Sequence, residues 1–297
     1  MMIREPAVAG RFYSGDREGC RAEVQECLEL ASQPASRGEP VEGEPRVLGG
    51  IVPHAGWMCS GAVAGRVFQT LAERRQPSAV VVFGAIHVGH GPQASLFGSG
   101  AWETPLGLAE VDERLANRLY GHTGLMEKDP HAHDREHSIE VEVPFIQHLM
   151  PDSMIVPIMV PPNDKAAALG TAVGSACRGY GADVLFIGST DLTHYGPRYG
   201  FIPEGVGAGG LEWARDVNDR RMIDAIRAMR DSEVVDEARA NQNACGAGAI
   251  AATLAACKAC GALRATLLEH TTSFEVLRER FPEPASDAVG YAGILIG

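Results

Sequence analysis

The sequence predicts an α/β protein, a three-layer α/β/α sandwich around a mainly parallel or mixed central sheet. Continuous apolar runs such as Ala79-Val80-Val81-Val82-Phe83-Gly84 and Asp183-Val184-Leu185-Phe186-Ile187-Gly188 read as strands buried on both faces. These runs alternate along the chain with segments whose apolar residues recur at helical spacing, the pattern of a sheet covered by helices. No internal repeat or low-complexity linker interrupts the alternation, so residues 1–297 are expected to form one large domain.

Composition narrows the class. With 45% hydrophobic and 22% charged residues the chain is an ordinary globular protein. A net charge of −12 without any Lys/Arg cluster argues against nucleic-acid binding. No apolar run approaches the roughly 20 residues of a membrane helix, and Met1-Met2-Ile3-Arg4-Glu5-Pro6 lacks the apolar segment of a signal peptide. A cytoplasmic protein without a membrane partner is expected. Seven scattered cysteines do not form a disulfide framework. Cys257-Lys258-Ala259-Cys260 reads as a pair of neighbours on an alanine-rich helix, with no second CxxC to complete a zinc site.

In order, Ser14-Gly15-Asp16 reads as a turn or helix cap before a helix from about Arg17 to Ala31, with Cys20, Val24, Cys27, Leu28 and Ala31 on one face. Gln33 to Arg46, with three prolines and two glycines, is a surface loop. The run Val47 to Val52 is a strand that ends at Pro53-His54-Ala55-Gly56, because proline lacks the N–H that the ladder needs. A helix follows from Ser60 to Arg75, then the strand Ala79–Gly84, which delivers His87 into a glycine-rich loop. Residues 92–110 read as irregular or edge structure, and Asp112 to Gly121 as a short helix. The polar stretch Asp129 to Glu140 contains His131, His133 and His137 and leads into a helix from Ser138 to Met150, where Pro144 requires a first turn or a kink. A strand over Met154–Val160, a helix over Asp164–Arg178 and the strand Asp183–Gly188 come next. That last strand ends in Ser189-Thr190-Asp191-Leu192-Thr193-His194-Tyr195-Gly196. Helices are expected over Leu211–Met229, Ser232–Ala240 and from Gly246 to about Cys260, and strands over Leu263–His270 and Ala288–Ile296.

His54, His87, Asp191, His194 and Cys245 thus stand at element ends, where open α/β sheets place their chemistry. Cys245, just before a helix, should feel the positive end of the helix dipole, which favours its thiolate. Two imidazoles and a thiolate form a three-ligand metal site with an open position, the pattern of a catalytic rather than a structural site. Nitrogen and sulfur together suit Zn(II), Fe(II) or copper. His122, His148 and His270 have no such setting and are given structural or surface roles.

The motifs Pro53-His54-Ala55-Gly56, Gly84-Ala85-Ile86-His87, Glu136-His137-Ser138-Ile139-Glu140, Ser189 to Gly196 and Ala244-Cys245-Gly246 resemble those of the MEMO family, whose bacterial members are called protein B of the AmmeMemoRadiSam system. Ala9-Gly10-Arg11-Phe12-Tyr13 and Val289-Gly290-Tyr291-Ala292 also fit, so the resemblance spans the chain. That family is similar in fold to the LigB-type extradiol dioxygenases, non-haem Fe(II) enzymes. The resemblance implies His54, His87 and Cys245 as ligands of one transition-metal ion, iron(II) first, with copper or zinc as alternatives. It implies His137, His194 and Asp191 as catalytic or pocket groups, and a radical-SAM protein and an AMMECR-type protein as partners. Ala85-Ile86 stands where the family often has Pro-Ser, and a cysteine stands where the dioxygenases use a carboxylate. The expected function is a metal-dependent, dioxygenase-like oxidoreductase acting on a small molecule or a protein group. A non-catalytic metal-binding protein and a metal-free hydrolase with Cys245 as nucleophile are the competing readings.

Overall fold

The computed structural model describes residues 1–40, 46–89, 91–181, 183–278 and 286–297. Residues 41–45 of the expected surface loop and His90 lie outside the described residues. The elements are β1 (Ile3–Arg4), α1 (Arg17–Ala31), β2 (Gly49–Val52), α2 (Trp57–Ala72), β3 (Ala79–Gly84), β4 (Ala94–Leu96), β5 (Ala101–Thr104), β6 (Gly107–Glu110), α3 (Glu113–Thr123) and β7 (Met126–Lys128). There follow α4 (Val143–Leu149), β8 (Met154–Met159), α5 (Ala166–Arg178), β9 (Val184–Ser189), β10 (His194–Tyr195), α6 (Ala208–Trp213), α7 (Asp219–Arg227) and α8 (Val234–Asn241). The chain closes with α9 (Ala247–Ala259), β11 (Ala265–Thr272), α10 (Ser273–Leu277) and β12 (Ala288–Ile296).

Among the described residues the main sheet runs β11-β12-β2-β9-β3-β8-β4-β7, with β10 beside the first residues of β12. The centre, β2-β9-β3-β8, is parallel, while β12 and β4 run antiparallel to their inner neighbours. A small sheet, β1-β5-β6, stands apart. The covering layers can be read from two adjacent glycines. A Cβ on Gly50 would strike Val67 of α2, and one on Gly49 would come against Cys257 of α9. Successive residues of a strand face opposite sides, so α2 and α9 cover opposite faces and the three layers follow. Helix α9 is buried nearly all round and lies so close to α5 that a Cβ on Gly170 or Gly174 would overlap Ala252 or Ala256.

The topology creates the site. Strand β9, far along the chain, inserts between β2 and β3, with Val52 beside Ser189 and Phe83 beside Gly188. The segments after all three strands therefore emerge side by side at the carboxyl edge of the sheet. Departures from the expected elements are local. The irregular or edge structure expected over 92–110 resolves into three short strands, β4, β5 and β6, the last two forming an antiparallel hairpin. The helix expected from Ser138 begins instead as a 3₁₀ turn, Glu140–Glu142, and Pro144 falls in the first turn of α4, where its missing N–H is harmless. The helix expected over Leu211–Met229 is interrupted by a π turn, Ala214–Asn218.

The 3₁₀ turn is held by a buried ion pair. Arg4 donates to Glu140 at 2.5 Å, to the Glu136 carbonyl at 2.5 Å and to the His133 carbonyl at 3.0 Å, and neither charged side chain is exposed. Glu140 also accepts from the N–H groups of Ala7 and Val8 and from the Tyr13 hydroxyl. Breaking such a pair from one side leaves a buried charge, which costs roughly 3–5 kcal/mol. Arg4→Met is therefore expected to lower unfolding stability by that amount in denaturant titration, whereas Arg239→Met on the exposed face of α8 should change it little. Equal midpoints for the two variants would contradict the assignment.

Candidate metal centre

Ring nitrogens of His54, His87 and His137 lie within 4.8 Å of one another, the one such group of metal-capable side chains among the described residues. His54 follows β2 and is buried, His137 is half-buried, and His87, after β3, is the member open to solvent. The rings pack at 4.7–5.4 Å between centroids, His87 stacked on His137 and His54 edge-on to both. Phe12 closes over His137 from the side, 5.0 Å away. The approach of the His137 loop to the end of β3 needs a glycine, since a Cβ at Gly84 would overlap Ile139 and Ser138.

Two rings are oriented from behind. His87 Nδ1 lies 3.0 Å from Glu136 Oε1, and His54 Nδ1 lies 2.8 Å from Ser189 Oγ. Both imidazoles thereby turn Nε2 towards the cluster, the arrangement in which an outer hydrogen bond sets the tautomer of a metal-ligating histidine. The buried Glu136 carboxylate also accepts from the backbone N–H groups of His87, His137 and Ser138. Burial alone would raise Glu136, but the His87 hydrogen bond and charge, with the backbone donors, hold it well below the usual carboxylate range. For His87, burial acts downward and is outweighed by the same carboxylate, so its pKa is raised. Burial and the neighbouring imidazoles push His54 and His137 down, which leaves both neutral at physiological pH.

Cys245 stands against His54, with Sγ 3.2 Å from Nε2. Its thiol is not set by the helix start as the sequence suggests: burial, and then the Asp191 charge, push its pKa well above the ordinary thiol value. Burial disfavours the thiolate more than the helix dipole favours it. Gly246 lets α9 begin here, since a Cβ would overlap the Ser189 carbonyl, and its N–H donates to Thr190 Oγ1 at 3.0 Å.

Asp191 reaches the site on the loop after β9, and His194 opens β10 just beyond it. Asp191 Oδ1 accepts from the His54 N–H at 2.8 Å, while its own N–H lies 3.3 Å from Cys245 Sγ. Burial raises the Asp191 carboxyl to about 6, close to the pH at which it could exchange a proton. His194 Nδ1 donates to the Leu192 carbonyl at 3.1 Å, which leaves Nε2 as acceptor, and Tyr199 packs edge-on against its ring. The loop is held by the residues that close the π turn. Asn218 donates to Thr193 Oγ1, and Asp219 accepts from the Thr193 N–H and pairs with buried His270 at 3.1 Å. His270 thus has a structural role, and the CxxC pair lies at the C-terminal end of α9, away from the imidazole cluster, with Cys257 in the last turn buried against β2 and Cys260 capping the helix.

The structure thus brings together His54, His87 and His137, with Cys245 on His54 and Asp191 bridging their loops. Sequence reasoning missed Glu136, Ser189 and Glu142 as supporting groups. The available signal was two glutamates, at 140 and 142, inside the otherwise apolar run Ile139 to Ile146, with Glu136 beside His137 just before it. Because the Glu136 carboxylate is the main influence opposing burial at His87, ahead of the Asp191 charge, Glu136→Gln should lower the His87 pKa. Histidine NMR titration of metal-free protein checks this, and an unchanged or raised value would refute it.

Comparison with known proteins finds matches over nearly the whole chain. The family described as Memo-like protein matches residues 4–295. A MEMO1 family protein of Methanothermobacter thermautotrophicus is 39% identical over 297 residues, 98% of this chain and 99% of the relative. MEMO1 family proteins of Pyrococcus furiosus and Thermococcus onnurineus are 37% and 38% identical, each alignment covering 99% of both chains. With its strand-end histidines, buried glutamates and cysteine at the start of α9, the chain belongs to the Memo-like family.

Proposed function

We propose that this protein is a non-haem, metal-dependent oxidoreductase that holds one transition-metal ion through His54, His87 and Cys245. The observation that supports a metal centre is the convergence of His54, His87 and His137 within 4.8 Å, two of the rings oriented from behind through Nδ1, and Cys245 enters the proposed set only through its Sγ, 3.2 Å from His54 Nε2. The donor set fits a borderline or softer ion: neutral nitrogen from His54, nitrogen from His87, and sulfur from Cys245 once its proton is lost. Fe(II) is the first candidate, and copper or zinc the alternatives. When bound, such an ion supplies Lewis acidity and, as iron or copper, electron exchange with an oxidisable substrate.

The chain's own residues would do the rest. His137, neutral and half-buried beside the cluster, is placed to accept a proton from a substrate entering on the open His87 side. Asp191 keeps the His54 turn and the Cys245 start of α9 in register, and its raised pKa lets it hold a proton near neutrality. His194, with Nε2 free to accept, would be the second proton acceptor. Phe12 and Tyr199 shield these rings on their outer sides. The substrate is proposed to be a small molecule or a protein group with an oxidisable function.

Anaerobic loading with Fe(II), Cu or Zn tests the reading by metal analysis. His54→Ala, His87→Ala and Cys245→Ser are expected to weaken binding by more than the roughly 10–100-fold that loss of an outer partner costs. His137→Ala should keep the metal and lose turnover, and binding should weaken with falling pH as protons compete for the donors. Loss of metal in His137→Ala with retention in Cys245→Ser would move His137 into the ligand set. Metal-loaded protein that consumes no oxygen with catechols, thiols or peptides would favour a binding role and refute the oxidoreductase assignment.

A further inference from the structure

Behind His54 lies a carboxyl that the proposed chemistry does not use. Glu142, in the 3₁₀ turn before α4, is fully buried. Its Oε1 lies 3.2 Å from Ser189 Oγ, and its Oε2 is buried without a hydrogen-bond partner. Among the described residues it forms no ion pair with a cation. Ser189 is equally enclosed, and three groups press on its hydroxyl: the Ser138 carbonyl at 2.6 Å, His54 Nδ1 at 2.8 Å and Glu142 Oε1.

A serine hydroxyl has one proton and two lone pairs. The Ser138 carbonyl cannot supply a proton, and two oxygens 2.6 Å apart need one between them, so the Ser189 proton is committed there. The other two neighbours must each bring their own. His54 can do so only as the Nδ1–H tautomer, and Glu142 only as the neutral acid. From this count we infer that Glu142 is a neutral carboxylic acid that donates to Ser189 Oγ, acting as a positioning residue that completes the shell fixing His54 with Nε2 unprotonated and turned to the site.

The environment agrees. An ionised Glu142 would be a buried charge with one oxygen unpaired and the other facing an oxygen whose proton is already used. Burial, together with the charge of Asp191, pushes its carboxyl well above the usual range, while the Ser189 contact opposes this only in part. A neutral acid kept beside a site as a hydrogen-bond donor is a known physical device of apolar pockets. The inference takes from the proposed metal centre only the role of His54 Nε2, and the proton count holds without it.

The test uses full-length, metal-free protein first. Infrared spectra of wild type minus Glu142→Gln at mildly alkaline pH, where Asp191 is ionised, should show the carbonyl stretch of one neutral carboxylic acid. Nitrogen-15 histidine NMR should show His54 protonated at Nδ1. Zn(II) affinity should then fall about tenfold or more in Glu142→Leu, in the range for loss of an outer partner. It should return to near wild type in Glu142→Gln, whose amide N–H donates in place of the acid. A difference spectrum with carboxylate rather than acid bands, or a His54 protonated at Nε2 alone, would overturn the proposal even if Glu142→Leu failed to fold. A merely space-filling Glu142 would leave affinity unchanged in Glu142→Leu, which also counts against it. Wild-type protein that shows the acid band and the tautomer but binds no Zn(II) would refute the metal centre and leave this inference standing.

Discussion

The site depends on what is done with buried carboxylates, and Glu136 is the clearest case. Its two oxygens gather the N–H and ring Nδ1 of His87 with the N–H groups of His137 and Ser138. One side chain thereby joins the loop after β3 to the segment before α4 and fixes two of the three imidazoles at once. A negative charge in this place is stable only because four donors, three on Oε1 and one on Oε2, surround it. Glu140, four residues on, repeats the solution with Arg4, Ala7, Val8 and Tyr13, and so ties the N-terminal segment to the same turn. The histidines are thus positioned by a polar layer beneath them rather than by apolar packing.

Much of this was legible in the sequence where one physical rule acted alone. Helix α1 spans the residues its apolar spacing and Asp16 cap foretell, and β3 coincides with its run of β-branched residues. The histidines that follow β2 and β3 stand where a proline or a glycine ends a buried strand. Where two rules competed, the local reading failed. The segment from Ser138 has helical spacing, yet Glu140 is pulled inward by Arg4, and a 3₁₀ turn replaces the first helical turn. The helix around Ala214 opens into a π turn at the point where Asn218 and Asp219 must both reach the Thr193 loop.

Cys245 shows the same competition in its chemistry. The dipole of α9 is visible in the sequence and burial is not, so the sequence points to a thiolate where the fold keeps a thiol. The insertion of β9 between β2 and β3 was likewise beyond local pattern, because no short stretch encodes which strand is its neighbour. Family resemblance supplied what periodicity could not: that residues hundreds of positions apart meet.

That insertion has a further consequence for how the molecule comes into being. His54 and Cys245 are separated by 191 residues, and β9, the strand between β2 and β3, is made long after those two strands. Closing such long loops is entropically costly and contributes to slow folding. On a ribosome, a nascent chain that has exposed its first histidines has neither the central strand that spaces them nor the sulfur that faces them. The finished arrangement of the three imidazoles therefore waits on the docking of β9, and the order of the strands alone makes the site a late product of folding.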